Sequence, residues 1–337
     1  MKTLKMVDIT LIFLILNSTI TITGCLINIL LLHIVLFHSP KVIKTFSVGV
    51  INLAITNIGS CFSGFLIGER IIPSGKQLFY ISYGLCSKIG PQFCFDVFGC
   101  LLHFHTHALW LVFLSFAYRY YVMIRKEPSR LALQLSILII YIPSLIQLLA
   151  MLSQEMDIEE IRNLLHEAYP EYNLTGLTVT GAVDSFQFAP LYTLIHMTVI
   201  STPISIGIHI LKNKIVGLLK SRGVDLSPKT RNLHAQLLRV RSYNFRHCEI
   251  YFQTLRFQAT VPLIYIFGVF CFFSSHFWSH PIIEFFTVIP PLLVPILTPF
   301  SCILYVNPYR HYVFRFISQK VHPKNSVQTT MSMVCVD

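Results

Sequence analysis

The sequence contains few charged residues. Asp, Glu, Lys and Arg make up 12% of its 337 residues, whereas a soluble globular protein has about 25%. Apolar residues make up 54%, and the mean hydropathy is +0.64. So few charges do not cover the surface of a soluble protein of this size. The composition therefore excludes an ordinary soluble enzyme, a disordered chain and a secreted disulfide scaffold.

The sequence also lacks the motifs of enzymes and of metal proteins. Its nine cysteines include no Cys-x-x-Cys pair, and most of them lie in apolar runs, where cysteine behaves as a small hydrophobic residue. There is no nucleotide-binding loop, no nucleophile motif and no zinc-type cluster. We therefore expect no enzyme activity, no cofactor and no metal.

Long apolar runs are what the sequence does contain. A helical membrane span needs about 20 mostly apolar residues, and seven stretches qualify. These predicted spans cover residues 9–37, 46–68, 93–124, 131–152, 186–211, 252–275 and 282–305. The predicted fold is an all-α membrane protein with a bundle of seven transmembrane helices.

The basic residues lie mostly on one side of these spans. Of the 26 Lys and Arg residues, 19 lie on one side, 6 lie on the other and Arg256 lies within span six. The basic side comprises residues 37–46, 119–131, 211–251 and the chain after 305. The positive-inside rule places this side in the cytoplasm and the N-terminus outside. The net charge of +11 then reflects topology, and we expect no nucleic-acid partner. Asn173, in an outside Asn-Leu-Thr sequon, is a candidate glycosylation site.

Motifs in several spans together carry a family resemblance. They are Gly24-Cys-Leu-Ile-Asn28, Asn52-Leu-Ala-Ile-Thr-Asn57, Leu114-Ser-Phe-Ala-Tyr118-Arg119-Tyr120-Tyr121, Gln258-Ala-Thr-Val-Pro262 and Asn307-Pro308-Tyr309-Arg310. They resemble the nematode seven-transmembrane chemoreceptors of the Str superfamily, in particular class delta (Srd), over residues 9–317. The resemblance implies a GPCR-like receptor in the membrane of a sensory neuron or cilium. It also implies a small odorant or soluble attractant or repellent as ligand, and a heterotrimeric G protein as partner.

Residues at the basic side are candidates for G-protein coupling. Arginine within a membrane is costly, and Arg119 at the end of span three is therefore a candidate switch residue. The alternative is that its side chain only snorkels to the lipid headgroups. After span seven, residues 308–317 have the pattern of an amphipathic helix on the inner leaflet, and we expect the tail 318–337 to be disordered. The candidate set is Tyr118, Arg119, Tyr120, Arg239, Arg241, Asn307, Pro308, Tyr309 and Arg310.

Polar residues inside the spans need partners. We expect Asn28, Asn52 and Asn57 to form hydrogen bonds among spans one, two and seven. Span three carries five candidates for a ligand pocket: Asp96, Cys100, His103, His105 and His107. Four of them lie within about 60° on the helix surface, with His105 on the opposite side. The alternative is that these groups bond to neighbouring helices. His103 and His107 have the spacing of a metal pair, but no third ligand is identifiable.

Two features near the outer ends of the spans leave alternatives open. Cys86 and Cys94 either pair with each other or remain two thiols, and the thiols are the simpler expectation. Glu284 is either a counter-charge for a ligand or for Arg70, or a solvated residue at a helix end, and its position favours the latter.

The competing functions are a ligand-gated channel or transporter, and a degenerate receptor that does not signal. A transporter would show internal repeats or charges near the middle of the membrane, and the sequence shows neither.

Overall fold

Seven helices that are long and apolar enough to cross a membrane form the body of the protein, which confirms the predicted bundle. The computed structural model describes residues 2–221, 245–278 and 280–321. Spans one to four are α1 (Lys2–His38), α2 (Lys44–Ile67), α3 (Pro91–Ile124) and α4 (Arg130–Leu152). Span five comprises α6 (Phe188–Leu194), a π-helical segment Ile195–Ile200 and α7 (Ser201–Ser221). Span six is α8 (Phe245–Ser275), and span seven comprises α9 (Pro281–Phe286) and α10 (Ile289–Tyr305).

Span three is the central helix of the bundle. It packs against spans two, four and five, and large side chains such as Phe95 and Phe116 are fully buried along it. The surface of the bundle carries exposed apolar side chains instead, for example Leu26, Ile139 and Phe270. Apolar residues on the outside and packed residues on the inside are what a lipid solvent requires, because acyl chains are as apolar as leucine.

A three-stranded antiparallel sheet lies across one end of the bundle, which we call the sheet end. It contains β1 (Glu69–Ser74), β2 (Gln77–Ser82) and β3 (Thr178–Ala182), in that order. The turn between β1 and β2 uses Gly75 at φ +58°, a conformation that glycine adopts without strain. The sequence analysis did not predict these strands. They join the loop before span three to the loop before span five.

The two faces of the sheet have different neighbours, as the alternation of side chains along a strand requires. Ile71 and Tyr80 pack with residues of the helical bundle. Ile72 and Phe79 pack on the other side with the short helix α5 (Ile158–Ala168). The sheet is therefore a buried layer between the bundle and α5.

Several helices extend beyond the predicted spans. Span five continues ten residues past 211 to Ser221, and span six begins at Phe245 rather than at 252. The helix after span seven, α11 (Asn307–Val321), continues past the predicted end at 317. Hydropathy detects only the part of a helix that lies in lipid, so it misses polar extensions. The first residues of the predicted disordered tail 318–337 are therefore helical, and the tail after Val321 lies outside the described residues.

Cys86 and Cys94 form a disulfide at the sheet end, so the expectation of two free thiols was wrong. The S–S distance is 2.08 Å and the Cα–Cα distance is 5.1 Å. Cys86 lies in a 3₁₀ turn, Leu85–Lys88, and Cys94 lies in the first turn of α3. The turn brings the chain back to the start of the helix, a proximity that the sequence spacing alone does not reveal.

Candidate functional site

A cavity of about 100 Å³ lies inside the bundle near the sheet end. Spans three, five, six and seven form most of its wall, and the strands β1 and β2 close the side towards the sheet. Its lining is largely apolar and contains no Asp, Glu, Lys or Arg among the described residues. A cavity of this kind fits a small ligand, because ligand sites are concave and mostly apolar with a few polar groups.

His105 is the one predicted pocket residue that lines this cavity. It is 3% exposed, and its ring lies edge-on to the ring of Tyr265 in span six, with centroids 5.7 Å apart. The amphipathic pattern alone did not show which face of span three points inward. The structure shows that it is the face of His105.

The other four polar residues of span three do not line this cavity, unlike the set of pocket candidates expected from the sequence. Asp96 accepts a hydrogen bond from Gln92, one helical turn away, and Cys100 is half-buried outside the cavity lining. His103 bonds through Nδ1 to the carbonyl oxygen of Ser144 in span four, at 2.8 Å. His107 bonds through Nε2 to Asn52 Oδ1 in span two, at 3.0 Å. These histidines face neighbouring helices because span three is packed on several sides.

A polar cluster at the opposite end of the bundle holds Arg119. The Arg119 Nη1 atom donates to Gln258 Oε1 of span six at 2.5 Å, and Gln258 Nε2 donates to Ser301 Oγ of span seven at 3.0 Å. We call Arg119, Gln258 and Ser301 the Arg119 cluster. Arg119 is 5% exposed, and its guanidinium lies 5.5 Å from the ring centre of Phe46. The side chain therefore points into the bundle instead of snorkelling to the lipid headgroups.

The other coupling candidates that the structure describes lie at the same end of the bundle. Tyr118 donates to Glu127 Oε1 at 3.2 Å, and Tyr120 is half-buried next to Lys214 of span five. The Tyr309 hydroxyl lies 3.0 Å from Ser39 Oγ and 3.1 Å from Ser47 Oγ, which connects α11 to the loop after span one and to the first turn of span two. Asn307 begins α11, and Pro308 and Arg310 are half-buried beside it. Arg239 and Arg241 lie outside the described residues.

Two of the three predicted amides join spans one, two and seven. Asn28 Nδ2 donates to the carbonyl oxygen of Pro295 in span seven at 2.6 Å. Asn57 Nδ2 of span two donates to Asn28 Oδ1 at 3.2 Å. Asn52 differs from the expectation, because it bonds to His107 of span three. Pro299 explains the first contact, because it has no N–H group to bond the carbonyl of Pro295 four residues earlier, which leaves that carbonyl free to accept from Asn28.

A buried ion pair connects the sheet to span seven. Arg70 of β1 and Glu284 of α9 are 2% and 1% exposed, and Arg70 Nη2 lies 2.5 Å from Glu284 Oε2. Tyr172 donates to Glu284 Oε1 at 3.1 Å, and the guanidinium of Arg70 lies 4.7 Å from the centre of the Tyr172 ring. The favoured interpretation of Glu284 as a solvated residue was wrong. The sequence did suggest Arg70 as a partner of Glu284. It did not show that Tyr172, in the loop before span five, packs over both groups.

A second buried acid at the sheet end was not singled out in the sequence. Glu69, the first residue of β1, is 2% exposed, and its Oε2 atom accepts a hydrogen bond from Ser82 Oγ at 3.0 Å. Burial raises the pKa of its carboxyl to about 8. Glu69 therefore carries a proton near neutral pH. Its position at the end of a span, directly after Gly68, resembles that of an ordinary solvated helix-end acid, so no sequence pattern indicates its burial.

Comparison with known proteins identifies the family. The chain matches the family described as "Serpentine type 7TM GPCR chemoreceptor Srd" over residues 13–315. It is 34% identical over 301 residues to serpentine receptor class delta-18 of Caenorhabditis elegans, covering 88% of this chain and 85% of that one. It is 33% identical over 301 residues to class delta-19 of the same organism, covering 87% and 84%. Both relatives are named as serpentine receptors, and the seven membrane-spanning helices of this chain agree with a seven-transmembrane family. The chain is a multi-pass membrane protein that belongs to the Srd family of serpentine chemoreceptors.

Proposed function

We propose that this protein is a chemosensory G-protein-coupled receptor that binds a small external cue in the sheet-end cavity. The observation that carries the proposal is that spans three and six each contribute residues both to the cavity and to the Arg119 cluster. His105 and Arg119 lie on span three, while Tyr265 and Gln258 lie on span six. A ligand that favours another packing of these two helices changes the contact between Arg119 and Gln258. The ligand thereby shifts the population of states that admit a G protein.

The proposed orientation puts the sheet end outside the cell and α11 in the cytoplasm. The excess of basic residues at the opposite end supports it. The disulfide at the sheet end supports it as well, because disulfides persist in oxidising compartments. Asn173 is exposed on the chain after α5 and is available for glycosylation. We place the receptor in the membrane of a sensory neuron or cilium.

The proposed G-protein surface comprises the inner ends of spans three and six together with α11. Tyr118 and Tyr120 flank Arg119 in the sequence of span three, and Arg310 lies in α11 after span seven. Arg239 and Arg241, which lie outside the described residues, complete the proposed coupling set. Opening the cluster would expose Arg119 to an incoming α subunit.

A second-messenger assay with volatile and soluble attractants and repellents tests this function. Cells that display the protein at their surface should respond to at least one compound in a concentration-dependent way. The response should disappear when the G-protein α subunits are removed. A ligand-evoked current that persists without G proteins would instead establish a ligand-gated channel. Retention of the protein inside every cell type tested would indicate a degenerate receptor.

A further inference from the structure

Three polar side chains of the cavity have no partner for one polar atom each. These atoms are His105 Nε2, Thr193 Oγ1 and the Tyr265 hydroxyl oxygen, none of which has a hydrogen-bond partner among the described residues. The three residues are 3%, 8% and 2% exposed, and all three line the cavity. They come from spans three, five and six. We call this set the polar edge of the cavity.

The polar edge differs from the other hydroxyl groups of the same cavity. Thr198 donates to the carbonyl oxygen of Leu194 at 2.6 Å, and Thr287 donates to that of Ile283 at 3.3 Å. Both threonines satisfy their own hydroxyl within their helices, as threonine commonly does in membrane spans. Thr193 does not, and neither does the Tyr265 hydroxyl. A buried polar group without a partner costs free energy, so three such groups around one apolar cavity indicate that a ligand supplies the partner.

The charge of the lining restricts what that ligand is. None of the described residues lining the cavity is Asp, Glu, Lys or Arg. A carboxylate or an ammonium group in this cavity would lose its hydration without gaining a counter-charge, which is strongly unfavourable. A pure hydrocarbon would fill the cavity but would leave the polar edge unpaired.

We propose that the ligand is a small uncharged molecule with an apolar body and one oxygen function, a carbonyl or a hydroxyl. The apolar body contacts the aliphatic and aromatic wall. The oxygen accepts a hydrogen bond from the hydroxyl group of Thr193 or Tyr265, and the His105 ring completes the polar edge. This inference deepens the proposed function and rests on it.

Binding to the purified full-length protein in lipid nanodiscs tests the ligand class. The probes are straight-chain alcohols, ketones, alkanes, carboxylates and amines, each from about four to about ten carbon atoms. The melting temperature Tm should rise with alcohols or ketones and stay unchanged with carboxylates and amines. Of the Thr193→Val and Tyr265→Phe variants, the one that removes the donating hydroxyl should weaken binding of the active probe about tenfold, the loss expected for one hydrogen bond, and normal binding by both would overturn the proposed contact. Thr198→Val, in the same cavity but with a satisfied hydroxyl, is the matched control and should bind normally.

The ligand-free protein provides a second readout. Thr193→Val and Tyr265→Phe should each raise its Tm, because each removes an unpaired polar atom, whereas Thr198→Val should not raise it. A lower Tm in both variants would overturn the polar edge. Binding of charged probes, or of alkanes as strongly as alcohols, would overturn the ligand class while the proposed receptor function stands. Silence of the whole panel, together with silence in the second-messenger assay, would overturn both.

Discussion

Arg119 is held by a side chain of span six and has no acidic neighbour before it in its own helix, where Tyr118 stands instead. Its charge is compensated by the carbonyl oxygen of Gln258 and by the faces of Phe46 and Phe116. A neutral partner binds a guanidinium less tightly than a carboxylate does. At the scale of residues, we therefore expect that a small ligand-induced change in the packing of spans three and six suffices to break the Arg119–Gln258 hydrogen bond.

Releasing Arg119 should raise signalling without a ligand. Gln258→Leu removes the acceptor and keeps the size of the side chain, and we expect basal G-protein activity to rise about tenfold, from the loss of one charge-assisted hydrogen bond. The measurement is basal second-messenger level at matched surface density. Thr260→Val, two residues away on the exposed face and bonded within its own helix, is the control. Equal basal activity in both variants would show that Gln258 does not restrain Arg119.

Glu69 should make the stability of the protein depend on pH. Its folded-state pKa of about 8 lies above the ordinary value of 4.5, so the folded state keeps a proton that the unfolded state loses. Stability is therefore unaffected below about pH 4.5 and falls as the pH rises towards about 8. Glu69→Gln should remove this part of the slope of Tm against pH, and the two proteins should have similar Tm near pH 5. Parallel slopes in both would show that the carboxyl is ionised in the folded protein.

At the scale of elements, the helices were predictable from the sequence and the strands were not. Each span is a long apolar run, and lipid leaves the backbone no alternative to a helix. The strands are five or six residues long and lie in loops, and β3 pairs with β2 across about a hundred residues. Glu69, Arg70 and Pro73 in β1 also read as helix-end and turn residues. The inward face of span three was not predictable either, because polar residues occupy both sides of it.

The Arg70–Glu284 pair is the main polar connection between the sheet and span seven. Arg70→Ala leaves Glu284 buried without its cation and should destabilise the protein by about 3–5 kcal/mol. The exposed Lys76–Asp184 pair, at 3.9 Å, provides a control in the same sheet region. Lys76→Ala should cost no more than about 1 kcal/mol, since exposed ion pairs contribute little. Thermal unfolding in nanodiscs measures both changes, and equal losses of stability would contradict the assigned role of the buried pair.

At the scale of the whole molecule, the charge is sided. The sequence analysis derived this sidedness from loop composition, and the sheet, the disulfide and Asn173 all lie at the end that it placed outside. Loop composition alone predicts the orientation, because the positive-inside rule depends on the distribution of lysine and arginine and not on side-chain contacts, and the orientation stays a prediction. The ligand cavity was not predictable at this scale, because its wall combines residues from five spans and two strands.

Tags on the two termini should lie on opposite sides of the membrane. In intact cells, an antibody should reach an N-terminal tag and should reach a C-terminal tag only after permeabilisation. Glycosidase treatment should reduce the apparent mass of the wild type, and Asn173→Gln should abolish this change. A C-terminal tag that is accessible on intact cells would contradict the proposed orientation.

The most direct test of the account compares ligand-evoked G-protein activation in the wild type, Arg119→Ala and Arg256→Ala at equal surface density. Arg256 lies at the same end of the bundle but is exposed on span six, so it controls for the loss of an arginine. We expect Arg119→Ala to lose the response while Arg256→Ala keeps it. A normal response from Arg119→Ala would contradict the claim that the cavity signals through the Arg119 cluster.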